Sequence, residues 1–211
     1  MIEGFDPSKI SYVAAMDGVR DRHPRAMSRA TGKILRRLDR HCRAILQRST
    51  FCVIGTQGPE GADVSPRGDP AGFVRVLDDR HLLLPDRIGN NRFDSYANVF
   101  TNPQVGLLFL VPGMAEILRI NGLARVTDDV GLLAPSAMQG RAPKVGLLIE
   151  IREAYLHCAK AINRAALWDP SKHIDRTEFP SYGDMLAEQV EGLTREESER
   201  QGVEMAKRGM Y

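Results

Sequence analysis

Glu116 to Val126, EILRINGLARV, alternates apolar and polar residues with a period of two. Leu118, Ile120, Ala124 and Val126 share one face of a strand, and Ile117, Arg119, Asn121 and Arg125 share the other. One apolar face and one polar face are the mark of an antiparallel sheet, covered on one side and open on the other. Gly122 interrupts the run and permits another group to approach closely. Arg119 and Asn121, two residues apart on the polar face, can simply be wet. They also have the donors and acceptors to meet a planar heterocycle.

The same reading extends outward in both directions. On the N-terminal side, Val105 to Val111, VGLLFLV, is apolar throughout and predicts a strand buried on both faces, ended by Pro112 and Gly113. Thr50 to Thr56 and Asp63 to Asp69 predict a hairpin around the glycines and proline of Gln57 to Gly61. In the second of these strands Asp63, Ser65 and Arg67 lie on one face. Pro66 removes a ladder donor, so the strand is an edge or carries a bulge. Phe73 to Leu77 and Arg80 to Leu84 predict a second hairpin around Asp78 and Asp79. On the C-terminal side, Lys144 to His157 reads as a long strand.

Six or seven strands joined mostly by hairpins, with one helix after the fourth strand and further helices at both ends, predict a mainly β fold with flanking helices, closed or nearly closed as an antiparallel barrel. At 211 residues the chain is expected to form a single domain. Within it we read a helical segment over 1–47, a barrel core over 48–168 and a helical tail over 169–211. Ile34, Leu35, Leu38, Cys42, Ile45 and Leu46 recur at three- and four-residue spacing and predict one amphipathic helix or two short ones over Gly32 to Gln47. A surface helical segment is expected at Val130 to Met138, and helices at Cys158 to Leu167, Tyr182 to Val190 and Thr194 to Met205.

The most chemically loaded stretch is Leu84 to Pro103, LPDRIGNNRFDSYANVFTNP, where a buried strand hands over to a helix. Arg87 and Arg92 stand at the start of that helix, where cations oppose the macrodipole. Either they are solvated beside Asp86 and Asp94, or an anion is held between their guanidinium forks and the free N–H groups of the first turn.

Composition narrows the classes. Hydrophobic residues make up 43% and charged residues 27% of the chain, as in an ordinary soluble globular protein. A net charge of +2 with the signs interspersed gives no case for nucleic acid. No apolar run is long enough to span a bilayer, and Met1 to Met16 lacks the apolar segment of a signal peptide. Three separated cysteines, Cys42, Cys52 and Cys158, fit reduced thiols and a cytoplasmic location. The five histidines have no metal-ligand spacing, so no metal site is expected.

Four motifs in order, SPRGDP (Ser65 to Pro70), LPDRIGNNRFDS (Leu84 to Ser95), NPQVGLLFLVPG (Asn102 to Gly113) and LRINGLA (Leu118 to Ala124), carry a resemblance to the pyridoxamine 5'-phosphate oxidase-like family of FMN-binding split barrels. The resemblance spans about Gln47 to Trp168 and is strongest to a branch with a DR-GNNR signature. It implies a homodimer with FMN at the subunit interface. It places Ser65 and Arg67 beside the flavin phosphate and ring edge. Asp86, Arg87, Asn90, Asn91, Arg92 and Ser95 would gather around the phosphate and ribityl chain. Arg119 and Asn121 fall at the polar edge of the isoalloxazine, and Lys160 reaches the flavin from the partner chain; Trp168 either reaches it too or is a core or helix-cap aromatic.

The chain departs from the vitamin B6 oxidase in lacking that enzyme's terminal arginine and tryptophan pattern, so pyridoxine phosphate oxidation does not carry over. What the resemblance implies is an FMN-dependent oxidoreductase acting on an unidentified small molecule. Flavin storage or sensing and a deazaflavin-binding reductase are the alternatives. No side chain stands out as an acid, base or nucleophile, so no catalytic residue is named.

Overall fold

The computed structural model describes residues 6–209 and 211; the expectations that touch Met1 to Phe5 and Met210 lie outside them. The chain falls into two compact units, Met1–Ile34 and Leu35–Tyr211. The first contains two short helices, α1 (Met16–Arg20) and α2 (Ser28–Gly32).

The second unit is built on seven strands: β1 (Phe51–Gly58), β2 (Gly61–Gly68), β3 (Arg75–Val76), β4 (His81–Pro85), β5 (Gln104–Leu110), β6 (Ile117–Thr127) and β7 (Gly146–His157). They form one sheet in the order β2-β1-β5-β6-β7-β4-β3, and every pair is antiparallel. The helices of this unit are α3 (Arg40–Leu46), α4 (Asp94–Thr101), α5 (Val130–Leu133), α6 (Lys160–Ala165), α7 (Tyr182–Gln189) and α8 (Arg195–Arg208). This is the antiparallel split-barrel arrangement with flanking helices. Among the described residues no helix is long and apolar enough to cross a membrane.

The β1–β2 hairpin closes at Gly58 and Gly61, the latter at φ 122°, which a side chain would resist. β2 pairs only with β1, so Pro66 sits on an edge strand where its missing N–H breaks no second ladder. In β6, Leu118, Ile120 and Ala124 are buried while Arg119 and Asn121 are half-buried on the opposite face. Gly122 does allow a close approach, but what approaches is β7. The register slips between Asn121 and Gly122, so Asn121 faces Glu153 while Gly122 faces Ile151, leaving Arg152 as the extra residue of a bulge. A Cβ on Gly122 would press into the Glu150 carbonyl oxygen.

Three expectations change. The apolar strand β5 is buried on one face only. Val105, Leu107 and Phe109 are in the core, whereas Leu108 is 37% exposed. The buried face belongs to the common core, to which helix α4 adds Tyr96 and Val99. The amphipathic pattern over Gly32 to Gln47 becomes a helix only from Arg40. Asp39 accepts the Cys42 N–H at 2.8 Å as its cap. Upstream, Leu35 exchanges backbone hydrogen bonds with Ala154 of β7. The 130–138 segment is less superficial than its polar ends suggest, because Leu133 is buried.

Candidate functional site

The sheet register separates the side chains singled out in the sequence into two groups. Arg67 pairs with Cys52, Cys52 with Phe109, and Phe109 with Leu118, so Arg67 shares the core face with three buried residues. Pro66 pairs with Val53, Val53 with Leu108, and Leu108 with Arg119, which puts Arg119 on the opposite face. A one-residue step in register exchanges faces. Within one chain the two groups therefore cannot line the same side of the sheet.

The first group meets in a cavity of about 330 Å3, lined by β2, the loop after β4 and the start of α4. Ser65, Arg67, Asp86, Arg87, Asn90, Asn91, Arg92 and Ser95 all line it. Each arginine has a carboxylate neighbour. Arg92 Nε donates to Asp94 at 2.8 Å, an exposed pair with Arg92 72% accessible. Arg87 Nε donates to Asp69 at 2.5 Å, and the Asp69 side chain is only 1% exposed. Arg67 Nη1 lies 3.9 Å from Asp86, a looser contact. The Nε of Arg67 is buried and has no hydrogen-bond acceptor. A buried guanidinium donor without an acceptor is costly and calls for an anion.

The backbone adds to this. Asn91 and Phe93 both take left-handed φ of 58°. Asparagine tolerates that region, but a phenylalanine there is strained. Phe93 is also the N-cap of α4 and provides no side-chain cap. The helix start beside Arg67 thus keeps its first-turn N–H groups without a side-chain acceptor, as an anion site requires.

Three residues that the sequence reading did not select complete the cavity. The buried Tyr96 donates to Asp86 Oδ1 at 3.1 Å. Burial, and then the Asp86 carboxylate, push its phenol well above the ordinary range. Asp63 accepts the buried Ser95 hydroxyl at 2.9 Å. Phe93 packs edge-to-face on Tyr96 at 5.8 Å. Asp63 was visible as a face-mate of Ser65 and Arg67; nothing in the sequence signalled the partners of Tyr96 or Phe93.

Arg119 and Asn121 line a separate groove of about 530 Å3 on the outer face. Arg119 Nε donates to Asn121 Oδ1 at 3.1 Å, and Asn121 Nδ2 donates to Glu153 at 3.0 Å. Lys160 is exposed at the first turn of α6 and lines neither cavity. Trp168 serves as a tether, donating from its indole to the Met114 carbonyl at 2.7 Å.

Candidates for acid, base or nucleophile remain few. Burial pushes the thiols of Cys42 and Cys52 up to about 11 and about 12, which keeps them protonated and inert. His81 Nδ1 lies 2.9 Å from Asp78, but this pair sits on the β3–β4 turn, where Asp78 also accepts the N–H groups of Arg80 and His81.

Residues 38–158, more than half of the chain, match the family described as pyridoxamine 5'-phosphate oxidase. The chain belongs to that family. Flavin binding is typical of it. No curated protein matches. Among solved structures, HupZ of Group A Streptococcus is 12% identical, with a TM-score of 0.48 over 56% of this chain and 93% of that one. An F420 reductase is 17% identical, with a TM-score of 0.40 over 55% and 94%. General Stress Protein 26 of Bacillus anthracis is 16% identical, with a TM-score of 0.41 over 54% and 88%.

Proposed function

We propose that this protein is an FMN-binding flavoprotein and an oxidoreductase acting on a small molecule. The observation that carries the reading is the buried, acceptorless Nε of Arg67 beside the uncapped start of α4. A phosphate monoester fits both features, since it brings several acceptor oxygens and negative charge to a guanidinium and a helix N-terminus.

The residues present fit the group. Arg67 and the first-turn N–H groups of α4 would hold the phosphate, with Ser65, Asn90, Asn91, Arg92 and Ser95 as further polar contacts. Asp86, fixed by Tyr96, and Arg87, fixed by Asp69, shape the wall. When bound, FMN supplies hydride or electron transfer, and the protein supplies orientation and electrostatics.

Arg119 and Asn121 lie on the other face of the sheet from Arg67, so they reach the same flavin only if a second copy brings them. We therefore extend the proposal to a homodimer with FMN between protomers, in which Arg119, Asn121 and Lys160 come from the partner. The outer face has the character of an interface, because Phe51 and Leu108 are exposed there beside the Arg119 groove.

The test is a visible spectrum of the purified protein after incubation with FMN and gel filtration. Retention of the two bands of an oxidised flavin, at the elution volume of a dimer, supports the reading. A colourless protein sinks it, and retention of the deazaflavin F420 but not FMN replaces one cofactor with the other.

A further inference from the structure

One row of paired residues crosses the sheet at Asn121 with two bare positions in it. Gly55 of β1 pairs with Gly106 of β5, Gly106 with Asn121 of β6, and Asn121 with Glu153 of β7. All four line the outer groove. Glycine inside a strand weakens it and marks a place where something comes close to the backbone. Neither glycine has a positive φ. A Cβ on Gly55 would meet the Gly106 carbonyl oxygen at 3.8 Å, and one on Gly106 would meet Asn121 Oδ1 at 3.5 Å, both ordinary contacts. The chain itself therefore leaves room for a methyl at each place. Together the two glycines make a floor of bare backbone beside Asn121 and Glu153, and a flat ring is the shape that such a floor accepts.

The bulge between β6 and β7 selects the carboxylate. Gly122 faces Ile151, so an unbroken ladder would set Arg152 opposite Asn121; the extra residue brings Glu153 there instead. Asn121 is then fixed from both sides. Its Oδ1 accepts Arg119 Nε at 3.1 Å, and its Nδ2 donates to Glu153 Oε2 at 3.0 Å. A guanidinium only donates and a carboxylate only accepts, so the amide cannot turn over. These bonds leave the Arg119 Nη groups and the second N–H of Asn121 as donors, and Glu153 Oε1 as an acceptor. Donors next to an acceptor match a ring carbonyl next to a ring N–H, the edge of a cyclic amide or imide.

We propose that Glu153 is the specificity-determining residue of this groove. It accepts the ring N–H of a flat cyclic amide or imide lying on Gly55 and Gly106, while Arg119 and Asn121 donate to the adjacent carbonyl. That the ring is a flavin's rests on the reading above; that the groove selects this edge does not.

The experiment is fluorescence titration of the protein with riboflavin and with 3-methylriboflavin, in which a methyl replaces the ring N–H. Riboflavin should bind about tenfold or more tightly, the margin of one hydrogen bond to a charged acceptor. Glu153→Ala should abolish that preference, and Glu153→Gln, which keeps an acceptor oxygen, should retain part of it. Gly106→Ala should weaken both ligands alike by about tenfold, since the methyl lifts the ring from its floor, while the thermal midpoint stays unchanged or rises. A glycine with a purely structural role would show the opposite pattern.

Equal binding of the two ligands, or a preference that survives in Glu153→Ala, would overturn the proposal, as would failure of riboflavin to bind. The two readings fail separately. Riboflavin bound with this preference by a protein that does not retain FMN keeps the ring site and removes the FMN reading. FMN retained by a protein that binds riboflavin and 3-methylriboflavin alike does the reverse.

Discussion

Asp69 holds the Nε of Arg87 at 2.5 Å, and the same buried carboxylate accepts the Tyr211 hydroxyl at 2.5 Å. Residues from β2's end, the loop after β4 and the region beyond α8 are thus tied to one side chain. Removing one member of a buried ion pair leaves the other uncompensated. Asp69→Ala should therefore lower unfolding stability by about 3 kcal/mol, read as the midpoint of urea denaturation. The double variant Asp69→Ala/Arg87→Met should lose less than the sum of the single losses.

The Tyr96–Asp86 hydrogen bond predicts a loss of stability in alkali. Burial and the Asp86 carboxylate raise the folded-state phenol above its ordinary pKa of about 10. Below about pH 10 the phenol is neutral in both states and its contribution is complete. As pH rises further, the unfolded chain releases the proton while the folded chain retains it, so stability falls. Tyr96→Phe should flatten this fall and lower neutral-pH stability by about 1–2 kcal/mol, the loss of a hydrogen bond to a charged acceptor. Urea unfolding on either side of pH 10 checks both.

Much of this architecture was legible in the chain because hairpins and alternation are local signals. The β1–β2 turn and the two faces of β6 follow from spacing, and the missing N–H of Pro66 narrowed its strand to an edge or a bulge, of which the sheet order gives the edge. The failures have a common cause in tertiary packing. An unbroken apolar run such as VGLLFLV does not say which face the core will take, and only the side of Val105, Leu107 and Phe109 is buried. Asp39 and the Leu35 bridge override a helical period that was otherwise clean. At the site, the sequence identified the cluster from Asp86 to Ser95. It could not show that Asp69 occupies Arg87, that Arg92 is exposed on Asp94, or that Arg67 is the arginine lacking an acceptor at Nε.

Gly122 gives a sharp backbone test. A Cβ there would overlap the Glu150 carbonyl oxygen, which the β6–β7 ladder holds in place. Gly122→Ala should lower stability by about 2–3 kcal/mol, as overpacking against rigid backbone does. The thermal midpoint measures this. Gly113→Ala is the comparison: its φ of 82° strains a side chain, a cost Gly122 does not carry, but nothing lies within 4 Å of the new methyl, so its loss should still be smaller.

The arginines of the proposed phosphate site should not be equivalent. Arg92 lies at the surface with its Nε on Asp94, and exposed pairs contribute little. Arg67 is shielded and keeps an Nε donor without an acceptor. Arg67→Met should weaken FMN binding by about 2–3 kcal/mol, the loss of a charge-assisted hydrogen bond, and Arg92→Ala by about 1 kcal/mol or less. Riboflavin, which lacks the phosphate, should bind the wild type and the Arg67 variant with nearly equal affinity. Fluorescence titration with the two ligands decides the matter. Equal losses of FMN and riboflavin in Arg67→Met would assign Arg67 to the ring or the fold, and a larger loss at Arg92 would place the phosphate at the outer rim of the loop.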